Sequence, residues 1–250
     1  MGGWDSSWKR WSLDACYGYA KTSKLFSNSE MVCVKTLYNY VDSMLLALRN
    51  IDLPLKVRRH KRRHNIKENL KHLGRSIDER PDEIASRNEF GHWEIDTVIG
   101  SKSKSDNVVL TLLERLTRKY IAIKIDGKTA SAVSAAMQSL QKYYGDKFSQ
   151  IFKTITSDNG SEFAELAELE NNTTTKVYFA HPYSSWERGS NERHNGLLRR
   201  LVPKGKRIDK YTSDDILFTA DWCNLLPRRI LGYKTPDDLF ENELDKIYAA

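Results

Sequence analysis

The 250 residues carry a formal net charge of +7 and a pI near 9.2, with 40% apolar residues: enough for a buried core in one large or two modest domains, and a balance that points to a polyanionic partner. Cys16, Cys33 and Cys223 are odd in number and far apart, which argues against a disulfide framework and fits a reducing cytosol. No apolar run reaches 18 residues and no charged, apolar, small-residue leader is present, so neither a spanning helix nor export is expected and the protein is expected to be cytoplasmic.

In 28–48 the apolar residues Leu37, Val41, Met44, Leu45 and Leu48 recur at helical spacing, with Asn28 or Ser29 available as a cap. Together with 14–26 this predicts a small helix-turn-helix whose second helix is 36–44, an ordinary packing helix being the plainer alternative. Residues 1–52 thus form a helical, DNA-binding-like segment and 53–90 a basic arm and linker.

Within that arm, 56–75 holds nine Lys and Arg against one acid, Glu68, so the segment carries +8 and the other 230 residues sum to about −1. Lys56, Arg58, Arg59, Lys61, Arg62 and Arg63 are candidates for neutralising DNA phosphates, contacts that position a nucleic acid without specifying its sequence. A solvated basic linker is the competing reading. His60 and His64 have the spacing of a zinc pair, but no cysteine pair accompanies them and zinc is not expected there. The polar, Pro-containing SIDERPDEIASRNEF completes the linker.

From Gly91 the pattern changes. HWEIDTVIG, NVVLTLLER and KYIAIKID read as three strands of an antiparallel meander, with a short turn at 116–118 between the last two. TASAVSAAMQSLQKYY predicts a helix with Val133, Met137, Leu140 and Tyr144 on one face, ended by Gly145. IFKTITSD is a fourth strand, followed by a short helix over 161–169, a short strand KVYFAH, and a helix starting near Trp186 or Glu187 and ending before Pro203. Over 91–250 this order predicts an α/β domain of the ribonuclease-H-like type, a mixed sheet flanked by helices.

Asp96 sits in the middle of an apolar strand, where aspartate is disfavoured. Asp158 closes the fourth strand before the turn dipeptide Asn159-Gly160, and adjacent central strands would bring the two carboxylates side by side. Such anions need a shared proton or cation, and oxygen donors suit Mg²⁺ or Mn²⁺. Glu192, in the first turns of the next helix, is able to complete a site for two ions, as phosphoryl transfer at DNA requires, with Asp96 as the candidate bridge. Plainer readings stand beside each: Asp158 as a cap, Glu192 on a solvated helix face with Glu187 close by, and Glu162 complementing a helix dipole.

The segments GHWEIDTVIG, TSDNGSEF, HPYSSWERGSNERHNGLLRRLVPKG and LGYKTPDDLF closely resemble the catalytic core of insertion-sequence transposases of the IS-thirty family, within the DDE superfamily of transposases and integrases. The resemblance runs over about 29–240, and VCVKTLYNYVD looks like that family's second helix-turn-helix. It implies an integrase catalytic core in which Asp96, Asp158 and Glu192 are the catalytic, metal-binding acids, with 33 residues between the last two; Glu187 would leave 28 and is disfavoured. It also implies two Mg²⁺ ions, replaceable by Mn²⁺, and a homodimer or larger multimer on DNA, acting at the bacterial nucleoid. Family members usually carry a further amino-terminal DNA-binding domain, and this chain begins near that domain's end. Where relatives often show NEN, the residues are Asn191-Glu192-Arg193-His194-Asn195, and CNLLPRR replaces a more polar stretch.

Around the glutamate helix, Arg188, Arg193, Arg199 and Lys204 are further DNA-contact candidates, joined by Arg200, Lys206 and Arg207. Trp186 and Tyr183 are candidates to stack on an unpaired base, although aromatics at a helix start more often pack as a staple. The expected reaction is hydrolysis at the ends of the element followed by attack of the freed 3′-hydroxyl on target DNA, without the covalent protein–DNA intermediate of serine or tyrosine recombinases. A catalytically silent DNA-binding remnant is the alternative, and a ribonuclease-H-like nuclease for another nucleic acid the third reading.

Overall fold

The structure, a computed structural model, describes residues 11–27, 29–53, 73–101, 103, 105–181, 187 and 189–249. The arm residues Lys56, Arg58, Arg59, His60, Lys61, Arg62, Arg63 and His64, and Tyr183, Trp186 and Arg188, lie outside the described residues. The chain divides into two compact units, one of residues 1–67 with 225–238 and one of 68–224 with 239–250. No helix among the described residues is long and apolar enough to cross a membrane.

The smaller unit holds α1 (Leu13–Thr22) and α2 (Val34–Asp42). Ser12 caps α1, its Oγ accepting from the Ala15 N–H at 3.2 Å. The expected cap at 28 or 29 and the expected run to residue 44 are both corrected: Cys33 stands at the N-cap of α2 and Ser43 ends it. The physical reasons are local. Ser27 directs its N–H and hydroxyl to Glu30 Oε2, closing a turn instead of a helix, and Met44 takes a left-handed φ of +55° with its side chain in solvent. A Cβ at Gly18 would stand 2.1 Å from Tyr233 Cδ1, so only glycine lets that ring lie against the α1 backbone.

The larger unit is built on five strands, β1 (His92–Ile99), β2 (Val108–Glu114), β3 (Tyr120–Ile125), β4 (Thr154–Ser157) and β5 (Lys176–Phe179). They lie in the order β3-β2-β1-β4-β5. The expected meander is present, β1 to β3 pairing antiparallel, while β4 and β5 run parallel to β1. With helices on its faces this is the ribonuclease-H-like α/β arrangement expected. The turn at 116–118 is closed by Glu114, whose buried carboxylate accepts from the Thr117 N–H and hydroxyl and from the Gly91 N–H. Burial pushes the Glu114 pKa up.

Strand parity separates two layers. Trp93 and Ile95 face an apolar core with Val133 and Met137 of α3 (Ala130–Tyr144) and with Phe148, Phe152 and Phe240. Trp93 stacks on Phe152 at 4.6 Å and donates its indole N–H to the Ile151 carbonyl at 2.8 Å. As expected, α3 ends at Gly145; Thr129 is its cap. The predicted fourth strand over 151–158 is shorter, because Phe148–Ile151 form a helical turn, α4, and Ile151 and Phe152 are apolar to fill the core under Trp93.

The predicted helix over 161–169 is instead two 3₁₀ turns, Ser161–Phe163 and Leu166–Glu168, leading into α5 (Leu169–Asn172). Their buried Phe163 and Leu166 stand three apart, the repeat that a 3₁₀ turn aligns. On the other face of the sheet lie α6 (Gly189–Leu198), which starts later than expected, and α7 (Ser213–Asn224). Asn224 of α7 takes the Tyr120 N–H on its Oδ1 at 2.8 Å and gives its Nδ2 to the Tyr120 carbonyl at 2.9 Å, covering part of the edge strand β3. From residue 239, α8 (Pro236–Ala249) packs Phe240 into the apolar core.

Candidate active site

Glu94 and Asp96 share the β1 face opposite Trp93 and Ile95. The pairing of β1 with β4 keeps a constant offset of 62 positions, His92 to Thr154 through Glu94 to Thr156. Continued two residues, that register sets Asp96 across from Asp158, on strands about 4.8 Å apart. Asp158 follows the last residue of β4, and its Oδ1 accepts the Gly160 N–H at 3.0 Å, closing a local turn; the cap of the next turn is Gly160, without a side-chain hydrogen bond, so Asp158 does not cap it.

Asp96 is held on both sides. Its Oδ1 accepts the Thr97 N–H at 2.8 Å and its Oδ2 accepts Asn195 Nδ2 at 2.9 Å. Asn195 belongs to α6 and lies three residues beyond Glu192, so the two share a helix face. Glu192 itself is exposed in the first turn of α6.

The rival acids are otherwise engaged. Glu187 accepts both the His181 backbone N–H and a hydrogen bond to His181 Nδ1, each at 2.9 Å, while His181 Nε2 meets Asp78 Oδ2. Those hydrogen bonds, Glu187 first, raise the His181 pKa. Glu162 is buried on the other side of the sheet edge, where Thr97 Oγ1 donates to it at 3.0 Å and Lys128 Nζ pairs with it at 2.9 Å. Gly160 separates Glu162 from Asp158: a Cβ there would stand 2.5 Å from Glu162 Oε2 and 2.9 Å from Asp158 Oδ1. Glu162 is therefore more than a complement to a helix dipole.

A polar network that the sequence reading did not identify fastens the start of α6. Glu94, fully buried, accepts the Asn191 backbone N–H on Oε2 at 2.9 Å, and Asn191 Nδ2 donates to the Glu94 carbonyl. Glu94 Oε1 forms an ion pair with buried Arg115 at 3.3 Å, without an aligned hydrogen bond. Burial pushes the Arg115 guanidinium down to about 10, against the opposing pull of Glu94. Arg118 Nη1 donates to Ser190 Oγ at 3.0 Å. The available signal was a second acid two residues before Asp96 in the same apolar strand.

The donors of this site are all carboxylate oxygens, the chemistry that suits a hard divalent cation. Asp96 and Asp158 fit such an ion. Among the described residues, no three His, Cys, Asp or Glu side chains are gathered closely enough to hold a metal, so Glu192 does not complete the set in this arrangement.

The remaining basic candidates divide. Arg193 and Lys204 are exposed, as is Lys206. Arg199 is half-buried and gives Nη2 to the Ile99 carbonyl at 2.6 Å, and Arg200 lies over the Trp222 ring at 5.9 Å. Arg207 pairs with Asp209 and lies near Asp106.

Residues 86–185 match the family model of the integrase core domain. The probable transposase for insertion-like sequence element IS1161 of Streptococcus salivarius is 44% identical over 207 residues, which are 83% of this chain and 58% of that protein. The chain is a homologue of insertion-sequence transposases. Transposase InsI for insertion sequence element IS30A of Escherichia coli strain K12 is 30% identical to this homologue over 248 residues, 93% of the chain and 61% of that transposase. The homologue thus spans about three fifths of the length of these relatives. Its fold is similar to the catalytic core domain of BIV integrase, with a TM-score of 0.48, 18% identity, and coverage of 64% of this chain and 99% of that one.

Proposed function

We propose that this protein is a DDE transposase, a polynucleotidyl transferase that cleaves DNA at the ends of an insertion sequence and joins them to target DNA. The observation that carries this reading is the parallel β1–β4 register, which continued two residues beyond Glu94–Thr156 would bring Asp96 across from Asp158, in an integrase core homologous to transposases. Asp96, Asp158 and Glu192 are the acids assigned to hold two Mg²⁺ ions, for which Mn²⁺ can substitute. Such ions supply activation of the attacking oxygen and neutralisation of the leaving one.

The chain's own groups do the holding. The Thr97 N–H and Asn195 fix the Asp96 carboxylate and the Gly160 N–H fixes that of Asp158, while Glu192, exposed in the first turn of α6, is the acid assigned to join them on DNA. In the first step the oxygen of water bonds to phosphorus as the 3′-oxygen leaves; in the second that 3′-oxygen bonds to a target phosphorus and the target's own 3′-oxygen leaves. The polyanionic substrate matches the basic arm, including Lys56, Arg58, Arg59, Lys61, Arg62 and Arg63, and the exposed Arg193 and Lys204; Arg188 is assigned the same role by its charge. Joining two ends calls for a dimer or larger assembly on DNA, in the bacterial cytoplasm at the nucleoid.

Labelled DNA carrying terminal inverted repeats of the element should be cut and transferred by the protein in Mg²⁺. Asp96→Asn and Asp158→Asn should abolish both steps while DNA binding persists. Cleavage by these variants at the parental rate would refute the assignment, and end binding without any cleavage by the parent would instead mark a silent DNA-binding remnant.

A further inference from the structure

Beyond the three acids, a neutral pair reaches the reacting edge of the sheet. Tyr120, at the start of β3 and almost wholly buried, donates its hydroxyl to Asn195 Oδ1 at 2.8 Å. Asn195 in turn presents Nδ2 to Asp96 Oδ2 at 2.9 Å. The amide has only one orientation that serves both neighbours: with its oxygen toward the phenol, its NH₂ faces the carboxylate, whereas the flipped amide would set oxygen against oxygen. Tyr120 cannot easily move, since Asn224 holds its backbone N–H and carbonyl and its ring stacks on His194 at 5.8 Å.

We infer that Asn195 is a positioning residue for Asp96, oriented by Tyr120, and that this pair sets the carboxylate geometry with which the protein takes up a divalent cation. The inference rests on the proposed role of Asp96. The Thr97 N–H and Asn195 Nδ2 bind one oxygen each and so fix the plane of the carboxylate. Thr111 adds a tie from the neighbouring strand, its hydroxyl donating to the Asp96 carbonyl at 3.2 Å. Groups that orient a ligating side chain without touching the metal commonly govern metal affinity about 10- to 100-fold.

The same arrangement links the helix to the strand. Asn195 lies one turn past the Glu94–Asn191 attachment, so α6 meets β1 at two successive polar contacts on one face. A helix shifted by one residue would lose the Asp96 contact and carry Glu192 away with it.

The test uses the full chain and Mn²⁺ as a spectroscopic probe, with binding followed by electron paramagnetic resonance and end cleavage measured across Mg²⁺ concentrations. Asn195→Ala should weaken Mn²⁺ binding by about tenfold or more and raise the Mg²⁺ needed for half-maximal cleavage similarly, measured below its thermal midpoint. Tyr120→Phe keeps the ring and Asn195 and should produce a smaller shift in the same direction, providing a second reading if Asn195→Ala does not fold. Parental Mn²⁺ binding by Asn195→Ala, while Asp96→Asn has lost it, overturns this inference alone. Parental binding by Asp96→Asn as well overturns the underlying assignment of the acid and the inference with it.

Discussion

Glu94 and Arg115 meet 3.3 Å apart with both side chains withdrawn from water, and the second oxygen of the same glutamate receives the Asn191 N–H at the start of α6. A buried pair of this kind contributes little relative to a well-packed apolar replacement, whereas removing one member strands the other. Glu94→Ala should therefore destabilise the larger unit by about 3–5 kcal/mol. Replacing both residues by methionine should cost less than the sum of Glu94→Met and Arg115→Met measured singly. Guanidinium denaturation of the four proteins measures the coupling, and additivity would show that the pair is not a unit.

The partners of the three glutamates predict three different phenotypes. Glu192→Gln should reduce end cleavage by about a hundredfold or more, as expected when a ligand for charge stabilisation is lost. Glu187→Gln should leave cleavage within about threefold, less than about 1 kcal/mol of barrier, because that carboxylate is engaged with His181. Glu162→Gln should act on folding by weakening the Lys128 and Thr97 contacts. Cleavage rates and thermal midpoints measured together distinguish them; a larger cleavage defect in Glu187→Gln than in Glu192→Gln would reverse the assignment.

Gly160 is the narrow point between Asp158 and Glu162. In Gly160→Ala the new methyl must push back a carboxylate, most directly that of Glu162, at an expected cost of about 1–3 kcal/mol for an overpacked site. Cleavage should fall as well, since Asp158 receives the Gly160 N–H. A thermal melt and a cleavage assay check both; a fully active variant of parental stability would show that the segment yields freely.

His181 bridges Asp78 and Glu187, and both acids favour its protonated form. A folded-state pKa raised above the unfolded value gives a contribution that is complete below the ordinary histidine range and disappears as pH rises through the raised value. Proton NMR of the His181 ring should give a midpoint above 6.5, and Glu187→Gln should lower it. A midpoint at or below 6.5 would contradict the bridge.

The strands were legible because β1 to β3 are long runs of apolar and β-branched residues, and α3 because Val133, Met137 and Leu140 repeat at helical spacing. Asp96 stood out because it interrupts such a run. Misleading signals came from apolar residues with other tasks: Met44 and Leu45 continue a helical rhythm yet are exposed beyond Ser43, and Ile151 and Phe152 resemble strand residues while packing beneath Trp93. Long-range polar pairing left no local trace. Asn195 finds Asp96 across 99 positions and Tyr120 across 75, contacts that only the folded sheet and helix create.

Gly18 and Tyr233 also set an order for biosynthesis. The smaller unit is discontinuous, its first part running to residue 67 and its second spanning 225–238, so α1 leaves the ribosome long before the ring that lies against it has been made. Domains tend to fold as units once their sequence is complete. The larger unit is split as well, taking Phe240 from 239–250, so a nascent chain stopped at Asn224 would hold all five strands yet lack both the ring that lies against Gly18 and the one that fills the core beside Trp93.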